Sequence, residues 1–162
     1  MVARGSPARI VIVSSKGHVF GSVDVSDLHF QYGRCYAPFR AYGQSKTANI
    51  LEAAELSDQL AATRVCALSL HPGEVTTNAL RHVGRCMGFV LRRLNNKSIA
   101  QGAATTLFGC LAPDSPELRG AYLDDCAIAK PETAQAVDAD KKARKALWAT
   151  TEEQLAAAMP MP

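Results

Sequence analysis

Arg9-Ile10-Val11-Ile12-Val13-Ser14-Ser15 is a β-branched apolar run that ends in two hydroxyls, and Arg64-Val65-Cys66-Ala67-Leu68-Ser69-Leu70-His71-Pro72-Gly73 repeats the design. Apolar runs without polar alternation read as strands buried on both faces, with their polar residues at the carboxyl tips. Between them Ile50, Ala53, Ala54, Ser57 and Leu60 recur every three to four residues, which predicts a helix from near Ala41 to about Ala61. Strand, helix and strand in that order predict a parallel βαβ unit.

Outward from this unit the pattern weakens. Gly17 to Phe39 has no clear period and reads as an irregular loop with one turn of helix near Ser26 to Gln31. Thr77 to Leu94 reads as a mobile helical segment. Ser98 to Leu111 reads as a firm helix capped by Ser98, with Ala103, Leu107 and Cys110 inward, stopped by Pro113 and Pro116. Gly120 to Leu123 is a third short strand, parallel to the others. Ala129 to Ala136 is a surface connector, and Asp138 to Ala157 a last helix carrying Leu147, Trp148 and Leu155, with Trp148 as a packing anchor.

A chain of 162 residues, 48% hydrophobic and 20% charged, is large enough for one domain with its own core. The net charge of +3 is small, and basic residues gather only around Arg81 to Lys97 and Lys141 to Lys145, which argues against a nucleic-acid partner. Arg81, Arg85, Arg92 and Arg93 read as a solvated helix face. Five widely spaced cysteines without a Cys-x-x-Cys pair predict reduced thiols, no metal site and an intracellular, cytoplasmic setting. No stretch approaches the roughly 18 apolar residues of a membrane span, and Met1 to Ala8 lacks a signal-peptide core. An anchor on a longer parent protein is a separate matter.

The chemistry is in Tyr42-Gly43-Gln44-Ser45-Lys46. Residues four apart on a helix share a face, and an ammonium beside a phenol favours the phenolate, which turns a tyrosine of ordinary pKa near 10 into a usable acid/base at neutral pH. A hydroxyl such as that of Ser15 would hold the oxygen of a carbonyl or alcohol during hydride transfer. Tyr-x-x-x-Lys alone is weak, since chance supplies it in roughly one chain in four to five. It gains weight from the order in which the serine-ended strand, the helix and the Pro-Gly-ended strand occur. Ser14 competes with Ser15, because adjacent strand residues face opposite ways; alternation and motif register favour Ser15. His71 reads as a strand-end polar residue with no carboxylate at a partnering interval, and His18, His29 and His82 as solvated.

Three segments together resemble the short-chain dehydrogenase/reductase family, in its retinol dehydrogenase-like branch: Arg9 to Ser15, Ala41 to Leu51, and Leu70-His71-Pro72-Gly73-Glu74-Val75-Thr76-Thr77-Asn78. The resemblance continues through Gln101-Gly102-Ala103, Leu118 to Cys126, Lys130-Pro131 and Leu147-Trp148, and the long interval from Ser15 to Tyr42 is similar to that of this branch. It implies an α/β, Rossmann-like fold, the C-terminal half of a doubly wound parallel sheet with flanking helices. It implies an oxidoreductase that moves hydride between NAD or NADP and a hydrophobic alcohol/carbonyl small molecule. By resemblance Ser15, Tyr42 and Lys46 are catalytic, and Tyr42, Lys46, Pro72, Gly73, Val75 and Thr77 contact the cofactor. The family's glycine-rich turn, its adenine-side selector and its Asn-Ala-Gly motif have no counterpart here, so residues 1–162 read as a single partial NAD(P)-binding domain, its catalytic half. The alternative is a truncated, non-enzymatic product that acts as a binding module. Without preceding strands, Ile10, Val11, Ile12 and Val13 would form an open apolar edge, which predicts lowered stability and self-association as a homo-oligomer.

Overall fold

The computed structural model describes residues 7–33, 35–75 and 97–159. β1 (Ala8–Val13) lies parallel to β2 (Val65–His71), in register from Ala8 opposite Val65 to Val13 opposite Leu70. β3 (Tyr122–Asp124) continues the parallel sheet beyond β2. β4 (Ala127–Ala129) then turns back antiparallel, giving the order β1-β2-β3-β4. The fold is therefore α/β and Rossmann-like, with a mixed rather than wholly parallel sheet. Asp125 and Cys126, both at positive φ, make a tight hairpin that the sequence reading did not assign, and the expected surface connector from Ala129 to Ala136 instead starts in β4 and ends in a helical turn with Ala136 buried. Two successive left-handed residues suit a two-residue hairpin, but Asp-Cys lacks the glycine that usually announces one.

The helix α1 (Pro38–Gln59) crosses between β1 and β2. Pro38 opens it, since a fixed φ and a missing N–H cost nothing in a first turn. α1 buries Ile50, Ala53 and Ser57, and also Gly43, Gln44, Thr47 and Leu51, of which Gly43, Gln44 and Thr47 meet the loop after β1 and Leu51 packs with Val23 and Leu147. β2 is buried along its whole length, and Cys66, Leu68 and Leu70 form a core with Leu118 and Leu123. Ile50, Tyr122 and Ala136 form a second cluster, and Val23, Leu51 and Leu147 a third.

Helix α2 (Ile99–Leu111) carries the expected Ser98 cap as a full capping box with Gln101, but its inward face is corrected. Gly102, Thr105 and Gly109 face the interior, whereas Ala103, Leu107 and Cys110 are exposed. A Cβ on Gly109 would stand 3.3–3.5 Å from Leu68, Leu123 and Leu70, and one on Gly102 would stand 2.3 Å from Val75. Close approach to the sheet selects the small residues, and a reading weighted by apolarity points to the opposite stripe.

The C-terminal part is two helices, α3 (Ala134–Val137) and α4 (Lys142–Ala158). Asp138 takes a left-handed φ between them and accepts from the amides of Ala143 and Arg144, so it caps the second helix rather than belonging to it. Leu147 is buried, Trp148 half-buried and Leu155 exposed. Residues 26–31 form turns rather than a turn of helix; a 3-10 helix lies earlier, at Lys16–Phe20. Thr77 to Leu94, with His82 and its arginines, falls outside the described residues. β1 is half-buried where β2 is buried, and among the described residues no strand pairs with its outer side.

Candidate active site

Ser14 and Ser15 leave the end of β1 into different surroundings. Ser14 is buried, its amide donating to Leu70 O at 2.7 Å and its hydroxyl to Lys46 O at 2.7 Å, so it stitches β1 to β2 and α1. Ser15 is half-buried and caps the 3-10 helix: its Oγ accepts from the Gly17 amide at 3.0 Å. A hydroxyl that accepts in this way still has its own hydrogen to donate.

Tyr42 sits in the second turn of α1, 45% exposed. A Cβ on Gly17 would stand 2.5 Å from Tyr42 Cε1 and 3.3 Å from Ser15 Oγ, so the tyrosine ring and the serine hydroxyl flank one bare α-carbon. Lys46 lies one turn on, its Nζ 5.7 Å from the Tyr42 ring centroid and donating to Val13 O at 3.1 Å. Asn49 Nδ2 donates to the same carbonyl at 2.9 Å, which anchors the polar stripe of α1 to the tip of β1. Glycines bring these elements together: Gly43 meets Gly21 so closely that a Cβ on Gly43 would stand 2.3 Å from Gly21 N. Thr47 fastens the same loop, donating toward Gly21 O at 2.7 Å and His18 O at 3.1 Å.

The second strand ends beside the first. His71 is buried, and its Nδ1 accepts from the Lys16 amide at 3.2 Å. Its Nε2 lies 3.6 Å from Glu74 Oε1, so a carboxylate does stand at a partnering interval, contrary to the sequence reading. Burial lowers the His71 pKa from its ordinary value of 6.5, against the opposing pull of Asp124 and Glu74. Lys16 Nζ pairs with Asp124 at 2.8 Å, and that carboxylate raises the lysine's pKa. Pro72 and Gly73 follow at the same sheet end, Gly73 at φ +90° with the Lys97 side chain packed on it. Val75 bridges to Lys97 and packs on Gly102. Thr77 lies outside the described residues.

His18 is a further correction, being fully buried rather than solvated. Its Nδ1 lies 2.8 Å from Ser15 O, and its Nε2 lies 3.1 Å from the Glu132 amide and 2.8 Å from Glu132 Oε2. His29 is exposed, as expected. Gly17 carries no reading of its own in the sequence and His18 reads as solvated, because their roles are contacts across the fold. The one signal in the sequence is their position directly behind a strand-ending serine.

No protein-family model matches the chain. Individual relatives do. The chain is 38% identical over 144 residues to retinol dehydrogenase 12 of Mus musculus, covering 88% of this chain and 44% of that protein. It is 37% identical over 153 residues to polyprenol dehydrogenase of Mus musculus (91% and 44%). With short-chain dehydrogenase TIC 32 A, chloroplastic, of Brassica napus it shares 38% over 135 residues (78% and 41%). A crystal structure of an uncharacterized protein from Mycobacterium paratuberculosis superposes with a TM-score of 0.62 at 28% identity, covering 91% of this chain and 50% of that one. The chain thus spans less than half the length of these curated relatives and corresponds to their C-terminal part. With the strand order, the serine-ended β1 and the tyrosine-lysine helix all in the arrangement described, the chain belongs to the short-chain dehydrogenase/reductase family of oxidoreductases.

Proposed function

We propose that this chain carries the catalytic half of an NAD(P)-dependent alcohol/carbonyl oxidoreductase, with Ser15, Tyr42 and Lys46 as its reacting groups. The observation that carries the reading is the bare face of Gly17, where a single added Cβ would meet both the Tyr42 ring, at 2.5 Å, and Ser15 Oγ, at 3.3 Å. The nicotinamide, when bound, accepts or supplies the hydride. Tyr42 takes the alcohol proton during oxidation and returns it to the carbonyl oxygen during reduction. Ser15 donates its unspent hydrogen to that oxygen and orients it, and the Lys46 ammonium offsets the negative charge that develops on the tyrosine oxygen. A hydrophobic substrate is the class suggested by relatives named for retinol and polyprenol.

Lys46, Pro72, Gly73, Val75 and Thr77 would hold the nicotinamide end of NAD or NADP. The fit stops there. The pyrophosphate needs free amides at a helix N-terminus behind a glycine-rich turn. The amides that follow β1 are already engaged, that of Lys16 with His71 and that of Gly17 with Ser15. Fluorescence titration with NADH and NADPH tests the reading, followed by turnover of a long-chain hydrophobic alcohol. The expected result is saturable binding, weak because only the nicotinamide end is held, and a turnover that falls about 10²- to 10⁴-fold in Tyr42→Phe. Turnover unchanged in Tyr42→Phe refutes the mechanism. No binding and no turnover favour the second reading, a non-enzymatic binding module, supported by the outer side of β1, which no strand pairs among the described residues.

A further inference from the structure

Ser15 C=O and Lys16 N–H are the two polar ends of one peptide unit, and a buried histidine meets each of them. His18 Nδ1 lies 2.8 Å from the Ser15 carbonyl oxygen, and His71 Nδ1 lies 3.2 Å from the Lys16 amide nitrogen. Both rings are almost wholly enclosed, at 0% and 2% exposure. We propose that His18 and His71 are positioning residues that fix the plane of the Ser15–Lys16 peptide and so aim the Ser15 hydroxyl at the space beside Tyr42. The functional part of this inference rests on the proposed role of Ser15; the clamp itself does not.

The two rings must use the same ring nitrogen in opposite ways. A carbonyl only accepts, so His18 Nδ1 carries a hydrogen; an amide only donates, so His71 Nδ1 carries none. His18 keeps its Nδ1 hydrogen in either charge state, because Glu132 offers both an acceptor, Oε2 at 2.8 Å, and a donor, its amide at 3.1 Å, to Nε2. The ring edge of Tyr122, 5.7 Å between centroids, closes that side. His71 has no such latitude: a proton on Nδ1 would face the Lys16 N–H and break the contact. Its surroundings are Asp124 and Glu74 on the acidic side, Lys16 and Lys97 on the basic side. Once the peptide plane is fixed, ψ of Ser15 is fixed, and Ser15 Oγ is held where it accepts from the Gly17 amide at 3.0 Å. The His18 ring also reaches from this peptide to the segment before α3, so the C-terminal part of the chain bears on where the serine stands.

Two measurements on the full chain test the clamp without requiring turnover. In long-range ¹H–¹⁵N spectra at pH 7.5, His71 is expected as the Nε2–H tautomer and His18 with a hydrogen on Nδ1; a hydrogen on His71 Nδ1, or none on His18 Nδ1, overturns the proposal. In amide exchange, His71→Leu is expected to speed both Lys16 and Gly17 by roughly threefold to tenfold, the loss of one hydrogen bond, while Cys66 to Leu70 keep their rates. His71→Asn, which restores an acceptor, is expected to return both amides toward wild type. Unchanged exchange at Gly17, or equal acceleration throughout β2, overturns the positioning role. If the wild-type chain shows no turnover, the catalytic reading falls while the spectra and exchange rates still decide the clamp. If it turns over, His71→Leu lowers kcat with KM little changed, and His71→Asn recovers it; a loss confined to KM counts against the proposal.

Discussion

Gly43→Ala should destabilise the protein, against what helix propensity alone would give. In an exposed helix interior, alanine for glycine gains about 1 kcal/mol. At position 43 the new methyl would stand 2.3 Å from Gly21 N, 2.6 Å from Phe20 C and 2.9 Å from Gly17 O. All three are backbone atoms, so no rotamer change relieves them. The loop must lift from α1, straining the Thr47 bonds to Gly21 O and His18 O. Overpacking of this kind costs about 1–3 kcal/mol, occasionally more. Loss of the single Thr47 hydroxyl hydrogen's bond to these carbonyls adds about 1 kcal/mol where it breaks. After the propensity gain, a net loss of about 1–3 kcal/mol remains, or a fall in Tm on the order of 2–12 °C for a chain of this size.

Urea unfolding followed by circular dichroism measures this, provided the slope stays unchanged so that the midpoint reports stability. Gly109→Ala is the control: its methyl would meet the side chains of Leu68, Leu123 and Leu70 at 3.3–3.5 Å, where small adjustments suffice. That variant should lie within about 1 kcal/mol of wild type, with propensity and tight packing opposed. Gly43→Ala as stable as wild type, or more so, would refute the argument that backbone contact fixes the loop on α1.

Other expectations follow from single features. Ser98→Ala removes one half of the capping box and should cost about 0.5–2 kcal/mol in the same unfolding assay; a change below that range would mean that the start of α2 is held by packing instead. Because burial keeps folded His71 neutral below its usual range, acid puts a proton on the unfolded chain first. Its contribution to stability is therefore full above about pH 6.5 and declines as pH falls from there through the folded value. Urea midpoints should fall more between pH 7.5 and 5.5 in wild type than in His71→Asn, and equal falls would count against this. The outer side of β1, unpaired among the described residues, should favour self-association, so sedimentation should show wild type shifting toward larger species with concentration and Ile12→Lys shifting less. Identical profiles would exclude β1 as the contact.

The sequence reveals what is local and periodic. β1, β2 and α1 were legible because two apolar runs and a helical repeat bury enough apolar surface to declare themselves, and Tyr42 and Lys46 because a four-residue spacing on a helix is itself a geometric statement. Features fixed by approach rather than by period stayed hidden. The inward face of α2 is glycine and threonine because Val75 and the sheet lie close, and hydrophobicity ranks those residues below the alanine, leucine and cysteine of the exposed stripe. β4 depends on two left-handed residues at Asp125 and Cys126 that carry no glycine.

The histidines make the same point within the site. A polar ring beside a loop reads as solvated, because nothing in its immediate sequence tells that a carbonyl three residues back and an amide far along the chain will close around it. His18 is satisfied only after the segment that holds Glu132 has returned to the sheet, and His71 Nδ1 meets its donor only after the end of β1 lies beside the end of β2. The serine's orientation is thus a product of tertiary structure, although the serine itself is visible in the sequence. For that reason a substitution at His18 or His71 is expected to disturb the site more than its distance in sequence from Tyr42 would suggest.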